Sequence, residues 1–588
     1  MDFKKSYFSK LVFISITLSL LLLLIIIVGV DANYHDEGES TYHSFPPPPN
    51  SIPRLSEIDR SNLPKNIIAI TGVGGWSHLR RMLDVSQILS TRGFNITLLS
   101  PGNYLPSPNY PNISQISTGP AFSPSDYPGY DRLIEEFVTL KEIYQLQQSA
   151  NKYYPRLYKI YQQAIEEFNP GLILCDGTFN FACFDAAYKS NIPTVSIASS
   201  FLGIVTSPYI SDPMIECKTY MENESFWNRF KCEILKPLSL FYALNSYSNE
   251  LNQYRAQVGV EPTFNPMERN KKSLFLVDTF YGFEVPQSSS PLYLDVGPIL
   301  PDYIQSLSPE LENFLSEHSR TIFVTFGTFF YTTKENNDIL LKALIEAIDK
   351  KKIDGIIWSL GRTPKEKLPS FDLLNPTMAK HFHIANHVPQ MALLAHENIK
   401  VILSHVGRNS CHELLYYGVP VLSFPLAYDQ YGNAERLEAL NVGLTLNKLS
   451  LNVPEIIEKL DILLNDKKIE KSCKRAKTLA RINSKRKYRA ADLIEYMIHA
   501  NALDDRDEDD NDIDGLMREW ITPDTRMGFF KGKYYDVYGA FFTILLSLLG
   551  LLSWISLKVL KTLFNFVINK FTTRNNKPKF TKKKFKKK

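Results

Sequence analysis

Along residues 64 to 200 the spacing of apolar positions switches repeatedly between two periods. Asn66-Ile-Ile-Ala-Ile-Thr71 is a short β-branched run that stops at Gly72-Val-Gly-Gly75. Leu79 to Thr91 then carries apolar side chains at helical spacing, and Ile96-Thr-Leu-Leu99 is strand-like again. The alternation continues with a predicted helix from about Tyr153 to Phe168, a strand at Leu172–Cys175, a helix from Ala182 to Tyr188 and a strand at Thr194–Ile197. A second series opens at Thr321-Ile-Phe-Val-Thr325 and Gly327. It runs through a helix at Ile339–Asp349, strands at Gly355–Trp358, His381–Ile384 and Lys400–Leu403, a helix from Ser410 and a strand at Val421–Phe424.

Strands that alternate with helices and read as apolar runs belong to parallel sheets covered on both faces. The chain therefore reads as α/β, with two Rossmann-like domains facing a cleft. The first takes residues 64–284 and the second 321–500; a linker over 285–320 contains the Pro/Ser-rich Val285-Pro-Gln-Ser-Ser-Ser-Pro291. Residues 33–63, with Pro47-Pro48-Pro49, read as a flexible lead-in, and an acidic run from Asp504 to Asp514 falls in a membrane-proximal linker over 501–536.

Both ends read as membrane addresses. Lys4, Lys5 and Lys10 precede an uncharged run from Leu11 to Val30, the pattern of a signal peptide or an uncleaved anchor over residues 1–32. Residues 537–557 carry no charge and, as a helix, are long enough for a bilayer of about 30 Å. Lysines follow over 558–588, and the positive-inside bias places that end in the cytosol and both domains in a lumen. The closing Lys584-Phe585-Lys586-Lys587-Lys588 resembles a dilysine-type retrieval signal of endoplasmic-reticulum membrane proteins; a polybasic lipid-contacting tail is the other reading.

Composition narrows the class further. A length of 588 residues exceeds one core, and 44% apolar with 22% charged residues excludes general disorder. The net charge of +4 hides nine Lys or Arg after residue 571, which leave the remainder at −5, so the body is not a basic nucleic-acid binder. Cys217 and Cys232 are close enough to bridge, whereas Cys175 and Cys183 sit in apolar segments and read as plain core. Sequons stand at Asn95, Asn112 and Asn223. His381-x-His383 with His387 lacks a Cys or carboxylate to complete a metal shell, so no metal is expected. The aromatic wealth from Phe226 to Tyr247 reads as core, with an acceptor pocket as the second reading.

The densest chemistry lies between Ser404 and Gln430. A strand delivers His405 at its C-terminal end, where open α/β sheets place ligands. Gly407 permits close backbone approach, and Asn409 and Ser410 fall in the first turn of the next helix, whose amides and dipole favour an anion. Glu413 lies one turn in, suited to a ribose diol, and Asp429-Gln430 follows the next strand as a hydroxyl-reading pair. A ring, amides, a carboxylate and an amide in that order suit a nucleoside diphosphate bearing a sugar.

Val388-Pro-Gln390, Leu393-Leu394, His396, His405-x-Gly407-x-Asn409-Ser410-x-x-Glu413, Gly418-Val-Pro420, Pro425, Asp429-Gln430 and Asn433 together resemble the signature of UDP-glycosyltransferases. The likeness runs from about Pro64 to Leu557. It implies a GT-B type architecture, with His405, Asn409 and Ser410 on the diphosphate, Glu413 on the ribose and Gln390 on the base. Thr328 would lie near the nucleotide, and Asp429 with Gln430 on the sugar. Two positions depart from the pattern. His387 stands where a tryptophan usually stacks on uracil, and Val406 where glycine or cysteine is usual.

The base is expected in the other domain. His78 opens a helix after the first glycine loop and Asp176 ends a strand at the same sheet edge, so the carboxylate can hold the imidazole while it takes the acceptor's proton. The resemblance implies that this pair works with inversion and without a metal or cofactor, the UDP-sugar being a co-substrate. Taken singly, His78 and Asp176 read as helix caps and Asp429 as a turn residue; together they fall at equivalent strand ends. The expectation is transfer of a hexosyl group from a UDP-sugar to a small lipophilic acceptor or lipid, on an endoplasmic-reticulum membrane. A glucuronate donor and a non-catalytic UDP-sugar-binding subunit are the alternatives, and a homo-oligomer is left open.

Overall fold

The computed structural model describes residues 59–121, 129–138, 140–178, 180–200, 207–270, 273–502 and 520–575. The segment 1–32, nearly all of the lead-in, the acidic run and the closing lysines lie outside the described residues. The chain divides into two units. One is Asp59–Ile521, and the other contains Thr522 onward.

In the first unit, strands β1 (Asn66–Ile70), β2 (Asn95–Ser100), β3 (Ile113–Ser117), β4 (Leu172–Asp176), β5 (Thr194–Ala198), β6 (Leu274–Val277) and β7 (Tyr293–Asp295) form one parallel sheet in the order 3-2-1-4-5-6-7. Strands β8 (Thr321–Thr325), β9 (Gly355–Ser359), β10 (Phe382–Ala385), β11 (Ile399–Ser404), β12 (Val421–Ser423) and β13 (Gly443–Thr445) form a second in the order 10-9-8-11-12-13. Helices that matter below are α1 (Trp76–Thr91), α2 (Tyr130–Glu135), α3 (Tyr154–Phe168), α4 (Phe181–Lys189), α5 (Lys236–Ala256), α6 (Lys334–Asp349), α7 (Arg408–Tyr417), α8 (Asp429–Ala439) and α9 (Arg486–Ala502).

The two-sided burial inferred from the apolar runs is visible in β1. Ile67 and Ala69 pack with Leu79 and Met82 of α1, while Ile68 and Ile70 pack with Tyr161 of α3 and Phe184 of α4. Successive strand residues point to opposite faces, so each face needs its own helical cover. In each sheet the strand order reverses beside the first strand, between β1 and β4 and between β8 and β11. Such switch points open a crevice at the strands' C-terminal ends.

Three sequence expectations are corrected. Helix α9, placed with the second domain by its position before residue 500, buries Leu493, Ile494 and Met497 in the first domain's core instead. Arg92 secures it there through Asp492 at 2.7 Å and Glu495 at 3.0 Å. The linker 285–320 is structured: β7 completes the first sheet, and Leu311 and Leu315 of the helix Pro309–Glu317 join the second core. Cys175 and Cys183, read as plain core, form a disulfide, as Cys217 and Cys232 also do. The end of β4 and the first turn of α4 bring the Cα atoms of Cys175 and Cys183 to 6.1 Å, within bridging reach.

In the second unit, helix α10 (Tyr535–Asn575) carries the uncharged run 537–557, and its apolar window is unburied. At about 1.5 Å per residue it exceeds the thickness of a bilayer, and it fits a single membrane crossing that includes residues 537–557.

Candidate active site

The first half of the site forms where β1 and β4 end side by side, with Ile70 opposite Cys175. The glycine loop after β1 turns into α1, whose opening residues include His78. Its amide closes the first turn on the Gly75 carbonyl at 2.9 Å. His78 Nδ1 lies 2.9 Å from Asp176 Oδ2. Asp176 is fully buried, and it accepts hydrogen bonds from Thr71 Oγ1 at 3.2 Å and from the Thr178 amide at 3.3 Å. A carboxylate held in this way fixes the imidazole as the Nδ1–H tautomer and leaves Nε2 with its lone pair. Arg81 is also buried, its Nη2 lying 4.0 Å from Asp176 Oδ1.

The second half forms where β8 and β11 end together, with Thr325 opposite Ser404. His405 follows β11 and is caged. A Cβ built on Gly327 would meet its Cε1 at 2.7 Å, and one on Gly407 would meet its Nε2 at 2.8 Å. Burial holds the imidazole neutral, lowering its pKa to about 4, and leaves Nδ1 without a protein partner. Val406, next in the turn, has φ +56° and is fully buried. A β-branched residue is strained in that left-handed conformation, which is the physical reason for glycine at such a turn. Helix α7 starts at Arg408, two residues earlier than expected, and Asn409 and Ser410 fall in its first turn, where amides lack intrahelical partners.

The remaining positions converge unequally. Asn433 Nδ2 donates to Asp429 Oδ2 at 2.8 Å and to the Val406 carbonyl at 3.0 Å, tying the start of α8 to the turn after β11. Gln430 is buried, and its side-chain carbonyl accepts from the amides of Leu426 at 2.8 Å and Ala427 at 3.0 Å; what it offers a ligand is its NH2 group. Gln390 Nε2 donates to Glu413 Oε2 at 2.6 Å and to Ser410 Oγ at 3.2 Å. Thr328, three residues past β8, and His387, in the loop between β10 and Gln390, are exposed.

The two halves meet. Asn409 Nδ2 reaches the carbonyl of Ser77, next to His78, at 3.5 Å, and Arg80 of α1 forms a buried ion pair with Glu413 of α7. Arg80 and Arg81 were not singled out from the sequence. The signal was available: two adjacent cations, Arg80-Arg81, stand in the first turns of the helix, two residues after His78. One other expectation fails in part. Of the aromatic residues from Phe226 to Tyr247, Tyr247 is buried in the first domain's core as expected, whereas Phe226, Trp227, Phe230, Phe241 and Tyr242 stand exposed. His381 and His383 have separate partners: His381 Nδ1 donates to the Asp354 carbonyl at 2.7 Å and His383 Nδ1 lies 3.6 Å from Glu310. A separate cavity of about 560 Å³ opens on the far side of α8, lined by Met221, Asn228, Tyr431 and Glu435, and neither His78 nor His405 reaches it.

Two facing parallel sheets with chemistry at both switch points define a GT-B type glycosyltransferase. Solved structures share this fold. The glycosyltransferase of kitacinnamycin superposes with a TM-score of 0.51 at 16% identity. A UDP-glucosyltransferase from Polygonum tinctorium, described as capable of glucosylating indoxyl, gives 0.51 at 19%. Each covers 74% of this chain and 99% of its own. The family model described as UDP-glucoronosyl and UDP-glucosyl transferase matches residues 190–500. UDP-glycosyltransferase 1 of Phaeomoniella chlamydospora is 30% identical over 74% of this chain and 90% of its own length, and a UDP-glycosyltransferase of Talaromyces amestolkiae is 28% identical over 84% and 97%. Human UDP-glucuronosyltransferase 3A2 is 24% identical over 71% and 80%. The chain belongs to the UDP-glycosyltransferase family, and it is an enzyme that transfers a sugar from a UDP-sugar.

Proposed function

We propose that this enzyme moves a hexosyl group, glucose in preference to glucuronate, from a UDP-sugar to a hydroxyl of a small lipophilic acceptor or lipid, inverting the anomeric centre without a metal or other cofactor. What supports this most directly is the His78–Asp176 pair, standing against the α7 turn through Ser77 and Asn409. Nε2 takes the proton of the acceptor hydroxyl as its oxygen bonds to the anomeric carbon. The bond to the diphosphate breaks on the opposite face. Charge growing on the diphosphate meets the first-turn amides and dipole of α7, with Asn409, Ser410 and the caged His405 beside it.

Glu413 is assigned to the ribose, Gln390, Thr328 and His387 to the nucleoside, and Asp429 with Gln430 to the sugar. Arg80 on Oε1 and Gln390 on Oε2 occupy one acceptor site each, so the carboxylate keeps lone pairs for the ribose diol. Neither side chain assigned to the sugar is a cation that would clamp a donor carboxylate, hence glucose before glucuronate. The catalytic domains are placed in the lumen of the endoplasmic reticulum with α10 crossing the bilayer. Two disulfides support an oxidising compartment, and the sequon residues Asn112 and Asn223 are exposed.

UDP release from UDP-glucose, UDP-glucuronate and UDP-galactose, measured with chelator present across phenols, sterols and membrane lipids, tests the proposal. The expected outcome is turnover with UDP-glucose and a lipophilic alcohol, giving a β-glycoside by NMR. An α-glycoside, or turnover restored only by a divalent cation, would sink it.

A further inference from the structure

The helical stretch that begins at Phe226 and runs through a π-helical turn into α5 carries an unusual outer face. Phe226, Phe230, Ile234, Leu238 and Tyr242 recur at four-residue steps, and with Trp227 they are between 39% and 73% exposed. That spacing keeps them on one broad side of the helix. The other side is fixed to the body. Cys232 is buried and bridged to Cys217, and Glu216 pairs with Lys231 at 3.2 Å and Lys236 at 2.9 Å. The bare face is therefore a held surface. Soluble proteins seldom leave a contiguous apolar patch of this extent in water, so something covers it.

The same chain indicates what. Helix α10 fits a membrane crossing, and the stretch Thr522–Tyr534 that leads into it spans at most about 45 Å even when fully extended. A bilayer surface is thus always within reach of the body. The composition of the face matches that surface: aromatic and aliphatic side chains on one side, with the exposed Arg229 on the same helical stretch to meet phosphates. We propose that the segment Phe226–Tyr242 lies in the interface of the membrane that α10 crosses, with its aromatic face among the upper acyl chains and Arg229 at headgroup level. The proposal rests on α10 being a membrane span and does not depend on which sugar or acceptor is used.

The test uses the full-length protein, one copy per phosphatidylcholine nanodisc, with and without bromine on the acyl chains. Trp227→Phe keeps the apolar face and removes one fluorophore. The fluorescence difference between wild type and Trp227→Phe is expected to be quenched by brominated lipid and protected from acrylamide. Trp554, inside α10, is quenched in both proteins and reports insertion. A difference signal that acrylamide quenches and bromine does not would overturn the proposal. So would one shielded from both, because protein would then cover the face.

Discussion

At the scale of single residues the site is a set of close approaches that leave no room for substitution. His405 sits between two glycines, and Gly327 adds a φ of +78° to the contact. Gly327→Ala therefore meets both a clash with a buried ring and a backbone cost of roughly 1–2 kcal/mol. UDP affinity, measured calorimetrically, is expected to fall at least about tenfold, the equivalent of about 1.4 kcal/mol; unchanged affinity would show that the His405 turn does not face the nucleotide. His78, Asp176 and the His405–Glu413 run were legible because each ends a strand or opens a helix, positions that hydrophobic periodicity locates. Arg80 and Gln390 on Glu413, and the spent carbonyl of Gln430, were not legible. Those contacts depend on which side chains two separate domains bring face to face, and no local pattern encodes that.

At the scale of elements, most central strands were readable because burial on both faces makes them uniformly apolar; β6, equally buried but only four residues long, was missed. The edge strands β3 and β13 and the short β7 were not readable either, since a half-covered or three-residue strand carries little pattern. A second unreadable element is α2, a first-domain helix that packs on the second domain. Tyr130 donates to the Phe329 carbonyl at 2.6 Å, and Lys448 donates to the carbonyls of Leu133 and Leu426. Burial lowers the Lys448 pKa from 10.5 to about 7. Between those values the unfolded chain holds the proton that the native slot has lost, so native stability contributed here rises as pH climbs from about 7 towards 10 and is lowest below 7. Thermal unfolding at pH 7 and 9.5 should show wild type gaining on Lys448→Met as the pH rises. Parallel pH dependence in the two proteins would mean that the amine is not desolvated.

At the scale of the molecule, the two domains are joined by a buried charge cluster. Glu284 of the first accepts from Arg408 at 3.0 Å and Arg436 at 2.6 Å of the second, and the Arg408 guanidinium lies 5.0 Å from the centre of the Phe283 ring. Burial alone would raise the Glu284 pKa; Arg436 and Arg408 outweigh it and hold the carboxyl at about 2. Glu284→Gln leaves two guanidinium groups short of their countercharge and should cost about 3–5 kcal/mol in unfolding experiments. A loss below about 1 kcal/mol would show that the seam is solvated. The division into two Rossmann-like domains was legible from the two alternating series. The return of α9 to the first domain was not, because an apolar stripe shows that a helix is covered without showing by which sheet. Everything proposed about the chemistry depends on His78 of one domain and the α7 turn of the other serving one crevice. The most direct measurement compares His78→Ala with His405→Ala for UDP release and UDP affinity in parallel. His78→Ala is expected to lower turnover by about 10²–10⁴-fold with UDP affinity intact, while His405→Ala weakens UDP binding itself. Full turnover in His78→Ala would contradict the account.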